Sequence, residues 1–286
     1  MAFTVLMLLG MGALAQRHTR HTFFSNGWKY NKEQVAGVIT SLDNQYKNVL
    51  HHGPAVENQY MALRIYFNNS GAIDVYNKSG LIDNELGLYG WYPSEEQQAS
   101  GAGCDEYRVG KAVGLGGFRL WDGSSEVKIT ATKGRRAWVG RTAKGAYAEM
   151  IALGVPYKED TVDISIRIDM RDDSRWAKVT ARELNGKEVQ FATGVNYHSG
   201  EELDYGSGYI AVWGIHPADV SQHPQPIGGG MRYDTDVFSS VEKTADMLRI
   251  VSKPCSRVST SVVAASVKEA ELNNASAFTA FVKGDR

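Results

Sequence analysis

The sequence contains few cysteines and carries almost no net charge. Only Cys104 and Cys255 occur among the 286 residues, so the chain is neither a disulfide-rich scaffold nor, lacking a CxxC pair, a zinc protein. The two cysteines either pair or remain separate buried thiols. No histidine pair has metal-site spacing, and we therefore expect no metal and no other cofactor.

The charge is also nearly balanced, with 31 basic and 32 acidic side chains and a net charge of −1. This balance gives no broad attraction for phosphate backbones, so nucleic acid is not an expected partner. Hydrophobic residues make up 43% of the chain, which is enough to bury a core. The sequence therefore indicates a folded globular protein.

A long apolar segment is missing as well. The apolar run from Ala2 to Leu9 is followed by Ala13 and Ala15 in the arrangement that signal peptidase accepts. It is shorter than the ~20 residues that span a bilayer. We interpret residues 1–15 as a signal peptide, with a buried strand as the alternative. The expected protein is periplasmic or secreted, without a membrane span, and not a lipoprotein because no cysteine follows Ala15.

Alternation with a period of two is what the sequence has in quantity. In the segment 162–170, every second residue is apolar and the others are polar, as in a strand with one buried face. The same pattern recurs in segments 61–67, 72–76, 146–155, 176–191, 209–215 and 247–253. Many short strands without alternating helices predict an all-β, mainly antiparallel fold, a large β-sandwich in a single domain over residues 16–286.

Two helices and two turns complete the expected architecture. Residues 31–47 have apolar side chains at three- and four-residue spacing and predict an N-terminal helix, and residues 273–284 predict a short C-terminal helix. Asn185-Gly186 is expected to form the type I′ turn of a hairpin. The segment 221–230, which ends in three glycines, is expected to be a surface loop.

The polar face of the first predicted hairpin is the candidate functional surface. If Met61, Leu63, Ile65 and Phe67 face the core, the opposite face carries a polar and aromatic set. Its expected members are Asn58, Tyr60, Arg64, Tyr66, Asp74 and Tyr76, with His51 and His52 at the rim. Such a surface is typical of oligosaccharide binding, because sugar rings stack on aromatics and guanidinium groups bind carboxylates. A hydrogen-bonded solvent face is the alternative.

Further aromatic and polar clusters lie in loop-like segments. Tyr89, Trp91 and Tyr92 form an aromatic group in one of them, and either bind sugar or close the end of the sandwich. Two other groups are Asp105, Tyr107, Arg108 and Lys111, and the loop residues His198, Asp204, His216 and His223. Histidines from different loops can converge at one end of a sandwich, although a single loop histidine is commonly only solvated.

Three blocks, HHGPAVENQYMALRIYF, GWYPSEEQ and CDEYRVGKAVGLGGFRLWDG, resemble in order those of the DUF4861 family. Its members are proteins of unknown function, mainly from Bacteroidota and often encoded near polysaccharide-utilisation genes. The likeness runs from about residue 48 to the C-terminus. It implies an exported, glycan-acting protein with a sandwich similar to those of galactose mutarotases and polysaccharide lyases. Five matched positions are polar and non-architectural: Asn58, Arg64, Tyr66, Asp105 and Tyr107.

These residues lead us to expect an enzyme that acts on an acidic, uronate-containing oligosaccharide, most concretely a lyase. Arg64 and Asn58 would neutralise the carboxylate, His51 or His52 would act as base, and Tyr66 or Tyr107 would act as acid. The expected substrate-binding residues are Asn58, Tyr60, Tyr76, Trp91, Asp105 and His198. Replacing Arg64 with alanine should then remove activity without lowering the melting temperature.

Three other functions remain open at this point. Glu57 and Asp105 could form the carboxylate pair of a glycoside hydrolase if they lie about 5 to 10 Å apart. The same aromatics could also serve a non-catalytic glycan-binding module. A mutarotase-like epimerase, which pairs histidine with a carboxylate, is the third alternative.

Overall fold

The structure is a computed structural model that describes residues 20–22, 24–25, 34–35, 37–82 and 84–284. The predicted signal segment 1–15 lies outside the described residues. Strands and helices in the described part of the chain are, in order, β1 Arg20–Thr22, β2 Phe24–Ser25, β3 Gln34–Val35, β4 Gly37–Thr40, β5 Ala55–Glu57, β6 Ala62–Ile65, β7 Ile73–Tyr76, α1 Glu85–Tyr89, α2 Glu95–Ala99, β8 Leu115–Trp121, β9 Glu126–Val127, β10 Arg135–Thr142, β11 Gly145–Tyr157, β12 Asp160–Arg171, β13 Ala177–Glu183, β14 Gln190–Asn196, β15 Glu202–Gly206, β16 Tyr209–Gly214, β17 Ile227–Arg232, β18 Glu242–Lys243, β19 Met247–Val251, β20 Arg257–Ser266 and α3 Ala275–Lys283.

The fold is an antiparallel β-sandwich, as the alternating pattern predicts. A nine-stranded sheet has the order β15-β16-β17-β20-β13-β12-β11-β10-β4 and faces a five-stranded sheet, β18-β19-β14-β8-β9, and a four-stranded sheet, β1-β5-β6-β7. A single parallel bridge between Ile73 and Gly114 connects the two smaller sheets. One hydrophobic cluster contains residues of all three sheets, including Leu63, Phe118 and Ile166. The core therefore lies between the nine-stranded sheet and the other two.

The two longest strands, β11 and β12, form the centre of the large sheet. Their ladder shifts register between Ala152 and Val155, where Gly154 has a φ of +67°. A bulge of this kind bends the strand and increases its twist. The predicted alternation in β12 is confirmed, since Val162, Ile164 and their successors at every second position are buried.

The predicted N-terminal helix is wrong for the described residues of the range 31–47. Residues 37–40 form β4, which pairs antiparallel with Arg135–Trp138 of β10, and residues 46–48 form a turn. The spacing of the apolar residues fits a helix locally, but an isolated short helix is only marginally stable, whereas pairing with β10 supplies backbone hydrogen-bond partners for residues 37–40. The C-terminal helix is confirmed: α3 begins after Asn274, whose side chain accepts from the backbone N–H of Ala277 at 3.0 Å.

Two turn predictions also need correction. Asn185-Gly186 connects β13 to β14, which belong to different sheets, and Asn185 does not have the positive φ that a type I′ turn requires. The turn therefore crosses the sandwich instead of closing a hairpin. Gly228, Gly229 and Gly230 lie in the buried strand β17 and not in a loop. Helix α3 packs on Gly228 and Gly230, and a Cβ on Gly230 would lie 2.6 Å from Val282.

The first hairpin forms and divides its residues between two faces as predicted, but both faces are covered. β6 and β7 are antiparallel and place Arg64 opposite Asp74. Leu63 and Ile65 face the main core. On the other face, Tyr76 packs in a second cluster with Leu86 of α1 and with Trp91. The predicted wet face is therefore buried under the segment that contains α1 and Trp91, and this segment brings the site residues together.

Candidate functional site

A polar cavity of about 380 Å³ opens between the hairpin of β6 and β7 and four other segments of the chain. This volume lies within the range of small-molecule sites, roughly 300–1,000 Å³. Tyrosines, carboxylates and arginines dominate its walls, which consist of Tyr46, His52, Arg64, Tyr66, Tyr92, Asp105, Glu106, Tyr107, Arg108, Val109, Gly110, Pro217, Asp219, Val220, Ser221 and Pro224. The structure therefore brings together five of the predicted site residues: His52, Arg64, Tyr66, Asp105 and Tyr107.

Arg64 lines this cavity, although only 1% of its surface is exposed. Nε and Nη2 donate to Asp74 Oδ2 at 3.0 and 2.5 Å, and Nη2 also donates to Asp105 Oδ2 at 2.7 Å. Nη1 donates to the His51 carbonyl at 3.2 Å and to the Tyr92 hydroxyl at 2.6 Å. A guanidinium has five N–H groups, and all five are engaged. Arg64 therefore has no donor left for a substrate carboxylate and acts as an organiser of the site.

Aromatic rings support the Arg64 guanidinium from several sides. Its central carbon lies 4.2 Å from the centroid of the Trp91 ring and 5.3 Å from that of Tyr66, within the range of cation–π attraction. Burial by itself would lower the pKa of Arg64, but Asp105 and Asp74 raise it well above its usual value. The guanidinium is therefore a permanent positive charge at the base of the cavity.

One guanidinium faces two carboxylates, and the two differ in the number of hydrogen bonds that they accept. Asp74 accepts two bonds from Arg64, one from the Tyr66 hydroxyl at 2.8 Å and one from the Val75 backbone at 2.9 Å. Asp105 accepts a single bond from Arg64. Burial and the charge of Asp74 raise the pKa of Asp105 well above its usual range, although Arg64 opposes this shift. Asp105 is therefore the carboxyl that can hold a proton facing the cavity.

His52 has the properties of a general base. Its Nδ1 lies 2.6 Å from the Tyr46 carbonyl, which can only accept, so Nδ1 carries the hydrogen and Nε2 keeps its lone pair. The ring stacks on Tyr46 with centroids 4.0 Å apart and planes 10° apart. Burial lowers the pKa of His52, and Arg64 also lowers it. His52 is thus a neutral imidazole, held in one orientation at the cavity wall.

His51 has a different role from its neighbour. Both histidines adopt left-handed backbone conformations, with φ values of 57° and 59°, which non-glycine residues rarely do. His51 is not part of the cavity wall, and its ring lies 6.3 Å from that of Trp91. Burial and Arg64 lower its pKa to about 3. The backbone conformation at His51 presents its carbonyl to Arg64 and places the side chain of His52 in the cavity wall.

Tyr92 and Tyr66 differ in the direction of their hydrogen bonds. The Tyr66 hydroxyl donates to Asp74, so its hydrogen is already used. The Tyr92 hydroxyl accepts from Arg64, so its own hydrogen remains available to a ligand. Burial raises the pKa of both phenols, which keeps them protonated. Tyr92 is 42% exposed and is therefore the tyrosine best placed to donate a proton to a ligand.

Arg108 is an exposed cation in the same wall. Its guanidinium makes one long hydrogen bond, from Nη1 to the Ala218 carbonyl at 3.4 Å. The backbone of this residue is firmly held, because its carbonyl accepts from Asn196 Nδ2 at 2.8 Å and from His198 Nε2 at 2.8 Å. Arg108 therefore combines a fixed main chain with N–H groups that can bind a carboxylate.

A buried cluster lies behind Arg108 and includes the predicted residues His198 and Tyr107. The His216 ring is tilted against that of Tyr107 and meets that of His198 edge-on, with centroids 4.3 and 4.7 Å away, and its Nε2 is 3.4 Å from Glu201 Oε1. Burial raises the pKa of Glu201 to about 7 and lowers that of His216 to about 3. The Tyr107 hydroxyl has no hydrogen-bond partner among the described residues. Tyr107 and His198 thus help to hold the part of the cavity wall that contains Arg108.

Four predicted binding residues lie away from the cavity wall. Asn58 Nδ2 donates to the Arg171 and Ser174 carbonyls, each at 2.9 Å, and its Oδ1 accepts from two backbone N–H groups of the turn that follows. Tyr60 lies 4.5 Å from the guanidinium carbon of Arg175. The rings of Tyr76 and Trp91 pack at right angles with centroids 5.5 Å apart. Trp91 contacts the Arg64 guanidinium but does not line the cavity.

Glu57, the other half of the predicted hydrolase pair, is also occupied elsewhere. It binds the buried Lys78 ammonium at 2.7 Å and accepts from the backbone N–H groups of Glu85 and Leu86 at the start of α1. Its side chain is 1% exposed and is not part of the cavity wall. The carboxylates that do line the cavity are Asp105, Glu106 and Asp219.

Sequence reasoning did not assign Tyr46, Tyr92, Glu106, Arg108 and Asp219 to the site. Tyr92 follows the predicted residue Trp91, and Arg108 follows the predicted residue Tyr107. Their position next to these residues could have indicated that they belong to the site. Tyr46 was interpreted as the apolar face of a helix. Asp219 comes from a loop more than a hundred residues away, and no local pattern connects it to the hairpin.

Comparison with known proteins gives a family but no activity. The family model described as a domain of unknown function, DUF4861, matches residues 13–286. The chain belongs to the DUF4861 family. A search of curated proteins finds no match. The 4-alpha-glucanotransferase from Thermococcus litoralis is a solved structure similar to 81% of this DUF4861 chain, with a TM-score of 0.35 and 9% identity. The chain spans 42% of that protein, and a likeness this low carries no functional argument.

Two further properties concern the described residues only. No group of three histidine, cysteine, aspartate or glutamate side chains among them is arranged to hold a metal ion. None of the helices in this part of the chain has the length and apolar character that a membrane crossing requires. Cys104 and Cys255 are unpaired thiols, which settles the alternatives that their spacing left open.

Proposed function

We propose that the protein is an exported carbohydrate-active enzyme that cleaves uronate-containing oligosaccharides by elimination. The observation that carries this proposal is the orientation of His52, whose Nδ1–H is committed to the Tyr46 carbonyl while Nε2 remains a base in a cavity wall shared with Tyr92 and Arg108. These three groups supply the base, the acid and the carboxylate ligand that elimination needs.

In this mechanism, Arg108 binds the uronate carboxylate and stabilises the charge that develops on it. His52 Nε2 removes the proton from the carbon next to the carboxylate. The bond from the adjacent carbon to the glycosidic oxygen breaks as a carbon–carbon double bond forms, and Tyr92 gives its proton to the leaving oxygen. The resulting Tyr92 phenolate is stabilised by the hydrogen bond from Arg64. Proton exchange with water restores both groups.

The carboxylates of the cavity would oppose a uronate if all of them were ionised. Burial raises the pKa of Asp105 and of Glu106, which reduces the negative charge near the ligand. A protonated Asp105 can also donate a hydrogen bond to the substrate. The electrostatics of the cavity are therefore compatible with an anionic sugar bound at Arg108.

The test uses pectic, ulvan-type and glycosaminoglycan fragments and follows the ultraviolet absorbance of an unsaturated uronate. We expect His52→Ala and Tyr92→Phe each to lower kcat by about 10²- to 10⁴-fold, and Arg108→Ala both to raise KM and to lower kcat. Arg136→Ala removes the same charge from an exposed position of β10 and should behave as wild type. Unchanged absorbance with every fragment would contradict the elimination.

A glycoside hydrolase is a second candidate, favoured by the raised pKa of Asp105 and by the exposed carboxylate of Asp219 in the same cavity. One carboxyl that holds a proton and one that is solvated are the pair that glycoside hydrolysis uses. Hydrolysis would be favoured if new reducing ends formed without an absorbance change. Asp105→Asn and Asp219→Asn should then each abolish the formation of reducing ends. Binding without either product would indicate a glycan-binding module.

A further inference from the structure

A second cavity, of about 460 Å³, adjoins the candidate site. Its walls come from α2, from the segment 222–225 and from a loop after β20, and consist of Glu95, Gln98, Ala99, Ala102, Glu106, Gln222, His223, Gln225 and Lys268. Glu106 lines both cavities. The two spaces therefore meet at one buried carboxylate.

Lys268 and Glu106 form a donor and an acceptor that do not satisfy each other. Lys268 Nζ is 3.8 Å from Glu106 Oε2 and 3.5 Å from the Ala102 carbonyl, so both contacts are long for hydrogen bonds. The Glu106 side chain is 3% exposed and is oriented by Asn77, which donates to Oε2 at 2.5 Å, and by hydrogen bonds from Ser221 and from the Gln225 backbone. A single hydroxyl oxygen can lie within hydrogen-bond distance of both charged groups, accepting from the ammonium and donating to the carboxylate.

Side-chain amides complete the polar lining of this cavity. Gln222 makes one weak hydrogen bond, to the Asp219 carbonyl at 3.5 Å, so its amide is largely available. Gln98 is held in place by the Pro93 carbonyl at 3.0 Å and by Ser221 Oγ at 3.2 Å. Amides and mixed charges match the alternating donors and acceptors of a neutral sugar ring.

The segment 217–225 separates the two cavities and contributes to both of them. Ser221 and Pro224 line the first cavity, whereas Gln222 and Gln225 line the second. The segment is anchored at two points, through Ser221 to Gln98 and through the Gln225 carbonyl to Asn77 at 3.4 Å. A chain of sugars bound at one cavity would therefore reach the other by crossing a single, fixed segment.

We propose that the second cavity is a saccharide subsite that binds a neutral sugar unit of the same oligosaccharide through its hydroxyl groups, with Lys268 and Glu106 as the central pair. This inference rests on the proposed function for the identity of the ligand. It assigns the candidate site to the uronate and the second cavity to a sugar further along the chain.

The experiment measures binding without turnover, in the His52→Ala protein, by calorimetry with disaccharide and tetrasaccharide fragments of pectic, ulvan-type and glycosaminoglycan chains. We expect Lys268→Met to weaken tetrasaccharide binding about tenfold and to leave disaccharide binding unchanged. Gln222→Ala is a second variant at an exposed position and should act in the same direction. Lys253→Met removes an exposed lysine elsewhere and is the matched control.

The outcomes separate this inference from the proposed function. Equal effects of Lys268→Met on short and long fragments, or no effect on either, would overturn the subsite even if the wild-type protein is an active lyase. Length-dependent binding without any product in the wild-type protein would retain the subsite and overturn the lyase. No binding of any fragment would overturn both.

Discussion

Replacing Arg64 with alanine should strongly destabilise this protein, contrary to the expectation from sequence. The substitution removes five hydrogen bonds from one guanidinium and leaves Asp74 and Asp105 buried without their cation. Removing one partner of a buried ion pair costs about 3–5 kcal/mol. For a chain of this size, each kcal/mol lowers the melting temperature by about 2–4 °C, so the expected decrease is roughly 6–20 °C.

Thermal unfolding and urea denaturation of purified protein measure this effect. Arg64→Lys keeps the charge but not the planar fork, so it should lose less stability than alanine does. The matched control is again Arg136→Ala, at an exposed position, which should unfold within about 1 °C of wild type. A melting temperature for Arg64→Ala close to that of wild type, together with lost activity, would refute our reasoning and return Arg64 to the role of a substrate ligand.

The remaining predictions concern a turn, a buried acid and a thiol. Asn58→Ala should lower the free energy of unfolding by about 2–4 kcal/mol, because it leaves buried backbone groups unpaired, while KM of the folded protein stays unchanged; a raised KM at unchanged stability would contradict this. The pKa of Glu201 is raised to about 7 in the folded state, so its contribution to stability is fully present below about pH 4.5 and is lost as the pH rises through 7. Between pH 5 and pH 8, Glu201→Gln should remove about 2 kcal/mol of the change in the free energy of unfolding, measured by urea denaturation. If wild type and Glu201→Gln show the same dependence on pH, Glu201 does not have the raised pKa. Burial raises the pKa of Cys104 to about 12, so mass spectrometry should find it unmodified by iodoacetamide at pH 8 in the folded protein and modified in urea. Rapid alkylation of the native protein would show that Cys104 is accessible.

Several elements of the fold could be predicted because their signal is local. The hairpin of β6 and β7 shows alternation in both strands, and the register places Arg64 opposite Asp74. The same local reasoning failed at residues 37–40, where β10 supplies a strand partner and outweighs a helical spacing of apolar residues. It also failed at Gly228 and Gly230, since only the helix that packs on them explains why glycine is required there.

The candidate site was predicted in part and for a similar reason. His52, Arg64 and Tyr66 were expected there because they are polar residues in or next to a strongly alternating hairpin, and Asp105 and Tyr107 because the resemblance to the DUF4861 family includes them. Their chemical roles could not be found in this way. The hydrogen bonds that use every donor of Arg64 come from residues up to 41 positions away, and they turn a presumed substrate ligand into a structural cation.

The sequence by itself determined the β-rich class, the hairpin and the residue types available for chemistry, because side-chain alternation follows from the geometry of an extended chain. Only the tertiary structure decided which of those residues share a cavity and which have their polar groups paired with other parts of the protein. Burial, ion pairing and the direction of each hydrogen bond depend on segments distant in the chain, such as the one that covers the hairpin and buries Arg64. These long-range contacts set the protonation state of Asp105 and leave Nε2 of His52 as a base.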